Sequence, residues 1–263
     1  MQTVTRFNAL KRSQQKISMV TCYDFWSAQL VADSGVDSIL VGDSLAVVMH
    51  GFPSTVHATL ELMLPHVAAV ARGAGNKIIV ADMPFMTASS GLEAGVAAAT
   101  ALIQAGAHVV KIEGASHQVP LIAHLVEAGI PVIGHLGLTP QSVLQLGGHR
   151  VQAKSTAAAE ALLTQALNLE SVGISALVLE CVPAKIASRI AQTMACAVIG
   201  IGAGVGVDGQ VLVLQDLLGA NRDFSPKFLR KYADLSQEVV TALNRYHEDV
   251  VSADFPSRCE SYA

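Results

Sequence analysis

The sequence predicts an α/β fold, a (β/α)8 barrel, and three observations carry the prediction. Helical stretches that end near glycine are followed at once by short β-rich runs, and this alternation recurs along the chain. Eight such runs can be counted, the number a closed barrel requires. No composition break or linker interrupts the 263 residues, and a barrel takes roughly 250, so one domain over residues 1–263 is expected. A doubly wound open sheet is the competing architecture, and in either fold ligands gather at the carboxyl ends of the strands.

Taken in order, the basic, acid-free start MQTVTRFNALKRSQQK should run almost directly into a first strand, KISMVTC. SAQLVADSG then leads into SILVG, and KIIVAD forms the third strand. AAATALIQAG precedes HVVKIE, PLIAHLVEAG precedes PVIGH, and EALLTQALNLESVG precedes ALVLE. Glycine suits these helix ends because it tolerates a left-handed backbone. AVIGIG is the seventh strand, and the apolar segment VLVLQDLLG supplies the eighth, although VLVLQD could equally be helical. The tail after residue 221 carries a helical pattern, FLRKYADLSQEVVTALNRYHEDV, and a polar end. The longest connecting loops are the Pro-Ser-Thr region after Gly51 and residues 134–153, and long loops commonly carry function.

Charged residues make up only 14% and mean hydropathy is +0.45, which suggests buried strands and apolar subunit contacts. The net charge of −4 without a basic patch argues against nucleic acid. No apolar run is long enough to span a membrane, and the N-terminus lacks the apolar stretch of a secretory signal, so a cytoplasmic location is expected. Cys22, Cys181, Cys196 and Cys259 have no zinc-ligand spacing; Cys22 and Cys196 read as core thiols.

The chemistry concentrates at strand ends. Apolar runs finish at Asp43, Asp82, Glu113 (with Lys111), His135 and Glu180. A charge at the end of a buried strand is costly unless paired, hydrogen-bonded or on a metal. Asp43 and Asp82, converging in a dry site, would repel and raise one pKa. Hard oxygen donors without histidine or cysteine favour Mg²⁺, which keeps waters and adds substrate oxygens; the alternative is that each aspartate caps a helix or turn. Lys111 and Glu113 share one strand face. The lysine can hold a substrate carboxylate and the glutamate a metal-bound water, or the two can satisfy each other. His135 can donate to a substrate oxygen or be structural. Glu180 suits proton abstraction beside a metal-polarised carbonyl, or a salt bridge to Lys111 or an arginine. IGIGAGVGVDGQ, residues 199–210, matches GxGxxG only superficially and lacks the Walker ending.

Nearly the whole chain resembles the ketopantoate hydroxymethyltransferase family, through LVGDSL (40–45), ADMPFM (81–86), VKIEG (110–114), GHLGLTPQS (134–142), LVLECVP (177–183), IGIGAG and DGQVLV. The resemblance implies a (β/α)8 barrel of the phosphoenolpyruvate mutase/isocitrate lyase type with a C-terminal helical extension, assembled as a homodecamer. It implies transfer of a one-carbon unit from 5,10-methylenetetrahydrofolate to 3-methyl-2-oxobutanoate, giving 2-dehydropantoate for pantothenate synthesis. By motif matching, Asp43 and Asp82 bind Mg²⁺, and Glu113 lies near it through water. Ser44, Lys111 and His135 contact the keto acid together with the aspartate site, and Glu180 is the base. Two positions depart from the family pattern: Ala46 replaces a glycine, and His57 stands in a usual proline region. A Mg²⁺-dependent 2-oxo acid lyase or mutase of the same superfamily is the competing reading, against which the chain lacks a KxCGH-type loop.

Overall fold

The computed structural model describes residues 3–262. The chain divides into two compact units, Met1–Val213 and Leu214–Ala263.

The first unit is a closed barrel of eight parallel strands in sequence order, β1 (Ile17–Thr21), β2 (Ser38–Val41), β3 (Ile78–Asp82), β4 (Val109–Glu113), β5 (Val132–Gly137), β6 (Ala176–Glu180), β7 (Ala197–Ile201) and β8 (Gly209–Leu212), with β8 returning to pair with β1. The helices of this unit are α1 (Thr5–Arg12), α2 (Phe25–Ala32), α3 (Leu45–Val48), α4 (Leu60–Gly73), α5 (Leu92–Gln104), α6 (Val119–Glu127), α7 (Val143–Leu146), α8 (Thr156–Ser171) and α9 (Ala184–Thr193). Side chains start several of these helices: Asp24, Thr59 and Ser155 accept from Ser27 N–H, Leu62 N–H and Ala158 N–H, satisfying backbone donors that a helix start leaves free. At the end of α8, Gly173 takes φ +88, and any Cβ there would press on Val126 of α6. Gly35, expected to play the same part after α2, has no positive φ.

All eight strands contribute to one interior cluster, which includes Met19, Leu40, Val80, Val109, Ile133, Val178, Ile199 and Val211. Phe7 of α1 belongs to the same cluster and is fully buried. The N-terminal segment, expected as a near-direct lead into β1, therefore folds as a helix that fills the floor of the barrel. Its apolar Val4, Phe7 and Leu10 recur at helical spacing and meet the cluster together.

The eighth strand is shorter and earlier than expected. It begins at Gly209 and ends at Leu212, because pairing with β1 stops at Val20↔Leu212. Beyond it, LQDL winds into α10 (Leu214–Leu217), which opens the second unit. The glycine-rich run between β7 and β8 contains no helix. There Gly204 and Gly206 lie against Ala184 and Ser188 of α9, so the glycines serve close packing on a neighbouring helix.

In the second unit α11 (Leu235–Val251) follows a loop. The expected helix from Phe228 starts late, since Tyr232 N–H and Leu235 N–H donate to Leu217 O and Leu218 O and hold residues 228–234 out of a helical ladder. No helix among the described residues is long and apolar enough to cross a membrane.

Candidate active site

The inward face of the barrel changes character toward the carboxyl ends of its strands. Side chains two apart on a strand share a face. The inward series therefore continue from Ile78 and Val80 to Asp82, from Val109 to Lys111 and Glu113, from Ile133 to His135, and from Ala176 and Val178 to Glu180. Register makes these groups neighbours: Asp82 lies opposite Lys111, Glu113 opposite His135, and Gly137 opposite Glu180. Asp43 joins them from the turn after β2, where its N–H donates to Asp82 Oδ2 at 3.0 Å. Asp43, Asp82, Lys111, Glu113, His135 and Glu180, all expected at a site, are thus brought together.

The contacts form one network. Lys111 Nζ lies 2.9 Å from Asp82 Oδ1 and 3.1 Å from His135 Nδ1. His135 stands between two carboxylates, with Nδ1 3.4 Å from Glu113 Oε1 and Nε2 3.3 Å from Glu180 Oε2. Glu180 therefore pairs with histidine, and Lys111 with an aspartate from the preceding strand. Ser44 Oγ is 2.8 Å from the hydroxyl of Tyr23, a fully buried side chain. The side chains of Asp43 and Asp82 cap no helix; Asp43 Oδ2 accepts from Gln141 Nε2 at 2.9 Å.

Burial and unlike charges compete here. Burial, then repulsion from Asp82 and Glu113, raises the pKa of Asp43 well above the usual carboxylate range. Burial works against the Lys111 ammonium, but Asp82, Glu113 and Asp43 outweigh it and raise the pKa. Burial would likewise protonate Glu113, yet hydrogen bonding and attraction from His135, with Lys111 behind it, lower its pKa. For His135, burial and Lys111 favour the neutral ring, while Glu113 and Glu180 favour the imidazolium and raise the pKa to about 9. Lys111 has no lone pair, so its contact with Nδ1 belongs to the neutral ring carrying its proton on Nε2 toward Glu180. The imidazolium gives Nδ1–H to Glu113 instead.

The donor chemistry fits a divalent cation. Two buried aspartates adjoin, and the charged form of one is disfavoured by the other, a conflict that a cation relieves. Among the described residues no group of three or more His, Cys, Asp and Glu forms a self-contained metal cage. A two-carboxylate site of this kind suits Mg²⁺, which retains water and takes up substrate oxygens.

Cys22 and Cys196 are buried as expected. Cys181 is half-buried, and burial followed by the Glu180 charge pushes its thiol up to about 11, away from the reactive thiolate. The two departures noted in the sequence lie beyond Asp43. Ala46 is fully buried in α3, and His57 stacks on Phe52 with ring centroids 5.1 Å apart. Gln141 and Tyr23 were not singled out from the sequence. Gln141 lies within GHLGLTPQS, a stretch already marked by its loop length and family resemblance.

The family model described as ketopantoate hydroxymethyltransferase matches residues 1–258. The chain belongs to this family. The 3-methyl-2-oxobutanoate hydroxymethyltransferase of Bdellovibrio bacteriovorus is 51% identical over 263 residues, covering 100% of both chains. The proteins of that name from Coxiella burnetii and Legionella pneumophila are 49% and 48% identical, covering 95% and 97% of this chain and 94% and 98% of their own. Among solved structures, phosphoenolpyruvate phosphomutase from Streptomyces platensis subsp. rosaceus aligns with a TM-score of 0.62 at 13% identity, covering 96% of this chain and 88% of its own. The 2,3-dimethylmalate lyase of the PEP mutase/isocitrate lyase superfamily aligns with 0.61 at 17%, covering 96% and 99%. These likenesses are of the barrel fold alone.

Proposed function

We propose that the chain is a 3-methyl-2-oxobutanoate hydroxymethyltransferase, joining C3 of the keto acid to the one-carbon unit of 5,10-methylenetetrahydrofolate. A C3–H bond breaks, a carbon–carbon bond forms, the one-carbon unit leaves the folate nitrogens, and water supplies the hydroxyl oxygen of 2-dehydropantoate. Family membership with full-length relatives of that name supports the reaction. One structural observation supports the choice of base: the Glu180 side chain is 17% exposed, whereas those of Asp82 and Glu113 are 4% and 6%. Of these strand-end carboxylates, Glu180 is the one open to a ligand.

Asp43 and Asp82 would hold Mg²⁺, with Glu113 behind them through water; the cation would supply Lewis-acid stabilisation of developing negative charge. Glu180 takes the C3 proton, held in place by His135 Nε2. Lys111 spends one N–H donor on Asp82, and a second on His135 Nδ1 only when that ring is neutral, which leaves at least one for the substrate carboxylate. Burial raises the pKa of Tyr23 and keeps its hydroxyl protonated. It can therefore donate to Ser44 Oγ and leave the serine O–H free to donate to a substrate oxygen. A cytoplasmic homodecamer belongs to the same proposal; the low charge and the exposed Trp26 and Leu30 of α2 support apolar assembly contacts, and light scattering in solution would measure the mass.

The test is exchange of the C3 proton of 3-methyl-2-oxobutanoate in D₂O with Mg²⁺ and no folate. Exchange should be present in the wild type and lost in Glu180→Gln. Unchanged exchange in that variant removes Glu180 from its role, and absence of hydroxymethyl transfer when the folate is added refutes the activity.

A further inference from the structure

Gln141 touches no strand-end charge by accident of length, because both ends of the residue are engaged at once. It sits on a single 3-10 turn, Pro140–Ser142, in the loop after β5. Its backbone N–H donates to Glu113 Oε2 at 3.0 Å. Its side-chain Nε2 donates to Asp43 Oδ2 at 2.9 Å and to Met83 O at 3.0 Å. The Met83 carbonyl can only accept, so the carboxamide orientation is fixed by chemistry and both amide hydrogens are used. One residue thus connects the segments following β2 and β3 with the end of β4.

The residue type is restrictive. A glutamate would set a third like charge against Asp43. Asparagine is shorter by one methylene and cannot span the same two acceptors from the same backbone position. A hydrogen bond to a charged group is also stronger than a neutral one, so the contact holds Asp43 in one rotamer. Asp43 Oδ1 has no hydrogen-bond donor among the described residues.

We infer that Gln141 is a positioning residue for the metal site: it pins Asp43 Oδ2 and leaves Oδ1 as the oxygen open to a cation. This rests on the assignment of Asp43 and Asp82 as the metal ligands. The backbone contact with Glu113 ties the same turn to the acid behind the site, so the loop after β5 and the cation site are organised together.

Mn²⁺ serves as the probe, with its free concentration followed by electron paramagnetic resonance in the absence of substrate. The wild type should bind Mn²⁺ and Asp43→Asn should not. Gln141→Leu should weaken binding on the order of tenfold, the equivalent of one charge-assisted hydrogen bond, and broaden the bound signal as Asp43 samples other rotamers. Gln141→Asn keeps a polar amide on the turn and should fall on the same side, which covers the case that the leucine variant folds poorly. Mn²⁺ affinity within twofold of wild type in a folded Gln141 variant overturns the positioning role while leaving the site intact. No binding by the wild type, or undiminished binding by Asp43→Asn, overturns the metal assignment and this inference with it.

Discussion

Lys111 Nζ and Asp82 Oδ1 meet at 2.9 Å across two adjacent parallel strands whose Cα atoms are in direct register. Both side chains are at most 5% exposed, so neither charge is hydrated enough to stand alone. Removing one partner of a buried pair costs about 3–5 kcal/mol, largely through the charge left behind. Lys111→Met should therefore lower the urea unfolding free energy by about that amount and raise the KM for the keto acid. A variant as stable as the wild type would show that Asp82 finds another partner.

Glu180→Gln keeps the shape and removes the proposed base. General bases contribute typically about 10²–10⁴-fold, so kcat should fall within that range while the KM of the keto acid stays close to wild type. Steady-state kinetics at saturating folate separates the two; a raised KM with an intact kcat would instead make Glu180 a binding group.

His135 predicts a pH dependence with a defined sign. Its folded pKa of about 9 exceeds the ordinary value of 6.5, so the folded state holds the proton more tightly than the unfolded state. The associated stabilisation is complete below pH 6.5 and is lost as pH rises through about 9. Denaturant melts of the metal-free protein should show wild type losing stability relative to His135→Gln across this window. A difference independent of pH would mean the ring does not titrate there.

Asp43 changes stability with pH in the same direction as His135, through a different charge. Its folded pKa is raised above 3.8 by burial and by Asp82 and Glu113, so in the metal-free protein its charge destabilises the fold increasingly as pH rises above the unfolded value. Asp43→Asn should raise Tm in the presence of EDTA, by about 2–4 °C for each kcal/mol recovered. It should also abolish the Mg²⁺-induced rise in Tm. Scanning calorimetry with and without Mg²⁺ measures both, and a lower Tm in EDTA would contradict the repulsion argument.

Gly137 tests how the proposed base, Glu180, is held. It has φ +91 and lies opposite Glu180 in the β5–β6 register, and an added Cβ would overlap Glu180 O and crowd Val182. Gly137→Ala should destabilise the fold by about 1–3 kcal/mol and reduce C3 exchange further than the stability loss explains. Wild-type exchange rates in this variant would show that the β6 end tolerates displacement.

The charged residues of the site were legible because burial and charge conflict within a single strand. A run such as KIIVAD or ALVLE is apolar until its last residue, and period two sends that residue to the same face as the core. The pairings were not legible. Whether Glu180 met Lys111, an arginine or His135 depends on strand stagger around the barrel, which no single run encodes. Gln141 and Tyr23 escaped notice because a neutral side chain in a loop or beside a strand carries no conflict of its own. At the fold level, the boundary errors have one origin. VLVLQDLLG and FLRKYADLSQEVV each have a plausible periodicity, but tertiary pairing stops the first at Leu212 and delays the second to Leu235.

The burial of Phe7 at the barrel floor has a kinetic consequence. With α1 packed against the inner cluster at that end, the proposed site at the strand ends has reactants and products exchanging on the side of Glu180 and Lys111. If the keto acid lies deepest, against the aspartates, then the folate must arrive after it and depart before the hydroxymethylated acid can leave. Ordered addition and release would then follow from the plugged floor, and dead-end inhibition by a non-reactive folate should trap the keto acid beneath it.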